Sequence, residues 1–275
     1  MKKIEEICAE IAADMEIEPV ENQINEPYGL KMQEVLDEKI WNQSGLICLA
    51  ARPSMGKSAF ALDMAIDAAI CLDKPIVIFS LEMTEKQMVY FMIKKICGVN
   101  CRERSGDTDI NKIASAIGFL QELNIFIDDT PAISTTEMKS VLSSIGDVGL
   151  VIVDYAQLLC NETREFKTRV DELTQITDDL AVITKNQELP MLVISQLSRY
   201  VDKQKNPREI LDDLSKTLPN IVEKAKTVIS LYRDAYYSED LNDDSAEIII
   251  LKNTLGNTKI IKAHFDREHG CFVKQ

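Results

Sequence analysis

Residues 46–58, LICLAARPSMGKS, restrict what this chain can fold into more than any other stretch of it. Five apolar residues, Leu46 to Ala50, follow Gly45 and read as a short buried strand. The next eight are Ala51, Arg52, Pro53, Ser54, Met55, Gly56, Lys57 and Ser58. They fit the phosphate-loop pattern G-x-x-x-x-G-K-[ST], with Ala51 where the first glycine stands. Ala59 to Leu72 then carries few turn formers and many helix formers. Strand, loop and helix in this order let successive backbone N–H groups curl round an anion, with the positive end of the helix behind them. Lys57 would reach the β- and γ-phosphates, and the Ser58 hydroxyl would ligate Mg²⁺. A chance match would leave the strand before and the helix after it unexplained, so the stretch is read as a nucleotide site.

From Gly45 onward, short apolar runs alternate with longer helical segments. The runs are 46–50, PIVIFSLEM at 75–83, NIFIDD at 124–129, GLVIVDY at 149–155 and PMLVISQL at 190–197. The segments between them, 59–72, 84–97, 109–122, 134–145 and 168–188, are long enough for crossover helices. Near-continuous Val/Ile/Leu strands separated by helices imply an α/β fold, a mostly parallel sheet with helices on both faces. After 197, KTVISLY, AEIIILKN and TKIIKAHFD follow one another closely and read as later strands, partly antiparallel, closing one side of the sheet.

Ligands in open α/β sheets bind beyond the carboxyl ends of the strands. Glu82 follows IVIFSL, Asp154 follows LVIV and Gln196 follows LVIS. Asp154 fits the acid that holds Mg²⁺ or its water. Glu82 suits a base that polarises attacking water. Gln196 can hydrogen-bond a γ-phosphate and release it on hydrolysis. Asp128 and Asp129 also end a strand, where a turn or helix cap is as good a reading as a catalytic one.

Ile4, Ile7, Cys8, Ile11 and Met15 recur at spacings of three and four, giving an amphipathic helix over 1–18 that ends near Pro19. A polar linker and lead-in segment, 19–44, separates it from the main domain, 45–275. The helix can fold back on its own domain or dock elsewhere. MKKIEEICAE has no apolar h-region, and no apolar run approaches the ~18 residues of a membrane span; a membrane partner is not expected. Seven scattered cysteines read as small buried residues of a reducing cytoplasm rather than disulfides. Cys97 and Cys101 with only two histidines in the chain make a poor zinc set. The net charge of −14 argues against nonspecific coating of nucleic acid but not against a few basic loops.

AARPSMGKS, IFSLEM, the strand ending in IDD, VIVDYAQLL, VISQLS, LYRD and AEIII-x-K together resemble the motor domain of the DnaB-type replicative helicases, a group of RecA-like phosphate-loop NTPases. The likeness runs from about residue 45 to 266, and alanine at the first glycine position is usual in that family. It implies an ATP- and Mg²⁺-dependent motor in a hexameric ring, moving on single-stranded DNA. By the resemblance, Lys57 and Ser58 serve phosphate and Mg²⁺, Glu82 is the catalytic carboxylate, Asp154 the metal-side acid and Gln196 the γ-phosphate sensor. A primase or a helicase loader would be a partner, and residues 2–18 would correspond to a linker helix docking on the next subunit. The separate primase-binding domain that usually comes first has no counterpart in the about 44 residues before the motor.

Two further departures bear on activity. The family's late K-x-R sends a lysine and an arginine finger into a neighbour's site; here the segment is Lys252-Asn253-Thr254. Lys252 is retained and the finger is not, with Arg267 or Lys259 as candidate substitutes. The DNA-contacting loop, typically D-L-R-E-S-G, reads Asp213-Leu214-Ser215-Lys216-Thr217-Leu218-Pro219. Lys216 can still neutralise a phosphate, and Arg199, Lys203, Lys205 and Arg208 make a basic loop suited to backbone contact with DNA. Arg164, Lys167 and Arg169 form a second basic stretch. A helicase or translocase subunit is therefore expected. The alternatives are a nucleotide-binding adaptor of a helicase ring, joined with another helicase subunit and hydrolysing weakly, and a RecA-type recombinase, against which ARPSMGK and SLEM count.

Overall fold

The computed structural model describes residues 1–20, 24, 29–41, 43–163, 165–197, 210–234 and 243–275. The chain opens with a two-residue strand, β1 (Lys2–Lys3), and helix α1 (Ile4–Met15), followed by short helices α2 (Met32–Val35) and α3 (Glu38–Trp41). Then come β2 (Gly45–Ala51), α4 (Lys57–Cys71), β3 (Ile76–Ser80), α5 (Glu85–Cys97), α6 (Gly106–Gln121), β4 (Ile125–Asp128), α7 (Thr135–Ile145) and β5 (Leu150–Asp154). A 3₁₀ turn (Ala156–Leu158) leads to α8 (Arg169–Asn186), β6 (Pro190–Gln196), α9 (Leu211–Thr217) and α10 (Ile221–Lys224). The chain closes with β7 (Thr227–Arg233), β8 (Ser245–Asn253), β9 (Lys259–Asp266) and β10 (Cys271–Lys274).

Among the described residues the strands form one sheet in the order β1-β4-β3-β5-β6-β2-β7-β8-β9-β10. From β4 to β7 the strands run parallel; β1 and β8 to β10 are antiparallel additions at the two edges. The expected crossover strands are all present, and KTVISLY joins the parallel set beside β2 rather than the antiparallel one. Alternation along each strand divides the core. Ile47, Leu49, Ile78, Ile152 and Ile194 pack with α1, α4, α5 and α6, while Cys48, Val77, Val151 and Val193 pack with α7 to α10. Continuous apolar runs are what a sheet buried on both faces requires.

The first helix folds back on its own chain. Ile4, Ile7, Cys8 and Ile11 are fully buried against α5 and α6, and β1 pairs with β4. Lys2 bridges Glu10 and Glu85, and Lys86 bridges Glu10 and Asp14. Val20 crosses α6 at Gly118, where a Cβ would lie 1.9 Å from the Val20 carbonyl oxygen; any side chain there would push the strap off. Residues 29–41 are pinned to α4, with the Met32 N–H donating to Asp67 at 2.7 Å and the Trp41 indole donating to the Met32 carbonyl at 3.0 Å.

Candidate nucleotide site

The loop expected to hold phosphate leaves β2 at Ala51 and enters α4 at Lys57. Ser54 (φ 62°) and Gly56 (φ 93°) are left-handed, the backbone an anion nest is built from, and the Met55 N–H between them closes the turn on the Arg52 carbonyl at 3.4 Å. Gly56 is also a steric requirement: a Cβ there would come within 2.9 Å of the Phe272 ring and 3.3 Å of Phe265. Pro53 and Ser54 lie at the surface of the loop, whereas Arg52 and Met55 are buried beneath it. Lys57 is buried, and its ammonium donates to the Arg52 carbonyl at 2.8 Å, folded across the loop it would serve. Burial pushes its pKa down to about 8, opposed by the charges of Asp154 and Glu82.

The neighbouring strands bring the other polar groups to the same end. Ser80 pairs with Asp154 across β3 and β5, and the Leu81 N–H donates to the Asp154 carbonyl at 2.8 Å, which sets Glu82 just beyond. Glu82 is exposed, and its charge acts on both Lys57 and Asp154. Asp154 is buried, which raises its pKa; a hydrogen bond from the Ser58 hydroxyl opposes that rise. Its Oδ1 is buried without a hydrogen-bond partner. A buried carboxylate oxygen left over, with a hydroxyl oxygen beside it, is the hard-oxygen donor set that Mg²⁺ prefers. On the other flank Ala51 pairs with Gln196 across β2 and β6, and the Leu197 N–H donates to the Ala51 carbonyl at 3.0 Å. Lys57, Ser58, Glu82, Asp154 and Gln196, nominated separately from the sequence, thus converge on one loop.

Other nominated residues lie elsewhere. Lys252 pairs with Val228 near the start of β7, at the opposite end of the sheet, where its ammonium donates to the Val222 and Glu223 carbonyls at 2.8 and 3.0 Å. Within one chain it does not meet the phosphate loop. Lys259 opposes Ile250 at the same end, whereas Arg267 lies at the nucleotide end and donates to the Asp243 carbonyl. Lys216 sits on α9, exposed, 3.5 Å from Asp213. Arg169 is committed to the Gln157 and Leu159 carbonyls and to Glu172. Arg164, Arg199, Lys203, Lys205 and Arg208 lie outside the described residues. Asp129 accepts from the Glu85 N–H at the start of α5, and Asp128 accepts from the Thr130 N–H, so both do the work of turn and cap.

Sequence reasoning missed the wall opposite the phosphate loop. The β9–β10 hairpin brings Phe265 and Phe272 over Gly56, with Arg233 stacked 4.0 Å from the Phe265 ring centroid. Lys95, 1 % exposed, ties this hairpin to the core: it donates to the Gly270 carbonyl at 3.0 Å and pairs with buried Asp63 at 2.7 Å. No local signal places Phe265 and Phe272 here, because they lie roughly two hundred positions from the loop in sequence.

The model of the DnaB-like helicase C-terminal domain matches residues 32–274. The chain belongs to the DnaB-like helicase C-terminal domain family. It is 34 % identical over 241 residues to the replicative DNA helicase DnaB of Geobacillus stearothermophilus, covering 85 % of this chain and 53 % of that protein. The chain spans about half the length of the curated relatives it matches. Among solved structures it resembles one described as an ATPase domain (TM-score 0.80, 26 % identity, 99 % of this chain and 98 % of that one). It also resembles a DnaB-like replicative helicase described with its interactions with primase (TM-score 0.77, 29 % identity, 85 % and 58 % coverage). The RecA-like fold expected from the sequence is therefore the fold of this DnaB-like domain. Among the described residues no helix is long and apolar enough to cross a membrane.

Proposed function

We propose that this chain is the ATP-driven motor unit of a replicative DNA helicase or translocase. The observation that carries the reading is the convergence of Lys57, Ser58, Glu82, Asp154 and Gln196 on one loop, with a partnerless buried oxygen on Asp154. ATP would lie with its β- and γ-phosphates in the nest of 51–58 and its base toward Arg233 and Phe265. Mg²⁺ would be held by Ser58 and Asp154 and would supply charge neutralisation of the phosphates. Lys57 would leave the Arg52 carbonyl to meet them. Glu82 would take the proton of the attacking water, and Gln196 would sense the γ-phosphate.

The transferred phosphoryl needs positive charge from outside this constellation. In the family that charge comes from a neighbour's K-x-R, so the chain would act in a homo-oligomeric ring, a hexamer by the family's habit, with Lys252 reaching the next site. Lys216, together with Arg199, Lys203, Lys205 and Arg208, would contact the backbone of single-stranded DNA. A primase or a loader would be a partner of the assembled ring, and the cytoplasm its compartment.

Thr254, standing where the family carries its arginine, favours a second reading: a nucleotide-binding adaptor within a helicase ring, with weak hydrolysis of its own. One experiment separates the two. ATP hydrolysis is measured with and without single-stranded DNA for wild type, Lys57→Ala and Glu82→Gln. The motor reading expects stimulation by DNA that both substitutions abolish. Hydrolysis no faster with DNA than without it would sink that reading and leave the adaptor.

A further inference from the structure

β5 and β6 lie side by side, but their backbone pairing stops at Val153 and Val193, leaving Asp154, Ser195 and Gln196 beyond it. Among the described residues, one side chain spans the gap with hydrogen bonds. Gln157, in the 3₁₀ turn after β5, donates through Nε2 to Ser195 Oγ at 2.7 Å, and its Oε1 accepts from the Gln196 N–H at 3.4 Å. Ser195 is fully buried. The turn carrying Gln157 is braced from behind, where Arg169 Nη2 donates to the Gln157 and Leu159 carbonyls at 2.8 Å each. Glu172, paired with Arg169, accepts from the Asn161 N–H at 3.1 Å.

Two segments leave the carboxyl ends of these strands. One, after β5, runs through Lys167 to α8; the other follows Gln196, whose backbone lies beside Ala51 of the phosphate loop. Hydrogen-bond networks between packed elements carry coupling, and here the Gln157 amide joins two strand ends that pair with β3 and β2 but not with each other. We infer that Gln157 is a positioning residue that couples the segment after β5 to Gln196, so that DNA held by the second basic stretch, at Lys167, sets where Gln196 stands relative to the γ-phosphate. This rests on the motor reading above. Gln157 touches neither nucleotide nor metal in this scheme; it acts through Gln196 and Ser195.

The test uses the full chain with and without an oligo-dT strand, comparing wild type with Gln157→Met, which keeps length but makes neither bond. Ser195→Ala removes the Nε2 partner while leaving Gln157 in place, and keeps the question answerable if the first variant folds poorly. The basal rate and the KM for ATP are expected to stay within about twofold. The stimulation ratio should fall about fivefold or more, the lower end of ordinary coupling between sites. The double variant should do no worse than Gln157→Met alone, which already lacks both bonds. An unchanged ratio in both variants, or basal and stimulated rates falling by one common factor, overturns the coupling role. If wild type itself shows no stimulation, the motor reading fails and this inference with it; wild-type stimulation with unaltered variants overturns this inference alone.

Discussion

At the carboxyl end of the parallel strands, polar groups are held ready for something else. Asp154 keeps a buried oxygen without a partner, Lys57 is desolvated, and Ser54 and Gly56 hold left-handed backbone. At the amino end, the residues of the late basic segment are held within their own chain: Lys252 donates to two carbonyls at α10, and the Thr254 N–H donates to the Lys226 carbonyl at 2.9 Å. The first end carries groups whose arrangement makes sense only with a ligand. The second lies away from the phosphate loop of its own chain, so any part it played in hydrolysis would be played on another molecule. A chain built this way would bind nucleotide alone and hydrolyse it well only in company.

Substitutions at the two ends should separate these properties. Glu82→Gln would remove the proposed proton acceptor while sparing the nest, so the hydrolysis rate should drop about 10²- to 10⁴-fold with nucleotide affinity nearly unchanged. A parallel loss of affinity, measured by equilibrium binding, would mean that Glu82 holds ground-state charge instead.

Stability should divide along the same line. Lys95→Ala strands Asp63 in the core and frees the hairpin that backs Gly56, at a cost of about 3–5 kcal/mol in denaturant unfolding. Lys252→Ala, at a half-exposed position, should cost about 1 kcal/mol. Equal losses would erase the distinction between a buried clip and a surface tie.

Thr254→Arg restores the family's arginine at the amino end. A finger is worth roughly 10³–10⁵ in rate where its geometry is complete; in a site adapted to threonine a gain of about tenfold is expected, read as DNA-stimulated turnover. No gain would assign the missing charge to another residue, and Lys259, at the same end of the sheet, is the first to substitute.

The smallest effect is on pH. Lys57 has a folded pKa lowered to about 8, so the unliganded protein begins to lose this charge above that pH, and polyphosphate binding draws the proton back. Affinity for ATP should be fully present below about 8 and fall by up to about tenfold per unit above it, with proton uptake on binding visible by calorimetry in buffers of different ionisation heat. The sign for folding is opposite. Between about 8 and the ordinary lysine value the unfolded chain binds more protons, so the stability of the unliganded protein rises with pH in that window. Affinity flat across pH 8 would place the Lys57 ammonium in water rather than under the loop.

Much of the nucleotide end was legible because its signals are local. A strand, a loop of fixed spacing and a helix lie within LICLAARPSMGKS and the residues that follow it, and Glu82, Asp154 and Gln196 each close an apolar run. The mostly parallel sheet was legible in the same runs, although its strand order was not. What was not legible depends on contacts between distant parts of the chain. Two residues, Lys2 and Lys3, are too few to read as a strand until β4 pairs with them. Phe265 and Phe272 look like ordinary strand residues until the sheet brings their hairpin over Gly56. The fold-back of α1 was one of two open choices, because an amphipathic stripe shows that a face is covered and not what covers it. Asp128 and Asp129 read equally as cap or catalyst; the Glu85 and Thr130 N–H groups that occupy them come from the fold, not from the spacing.

The central claim is that the two ends of the sheet work on different molecules. Co-expression of Glu82→Gln chains with Lys252→Ala chains tests it most directly, with DNA-stimulated ATP hydrolysis measured for each variant alone and for the mixed assembly. The account predicts that each variant alone is nearly inactive and that the mixture regains a substantial share of wild-type turnover, from sites where an intact Glu82 meets an intact Lys252 of the neighbouring chain. A mixture no more active than the average of the two separate variants would contradict it.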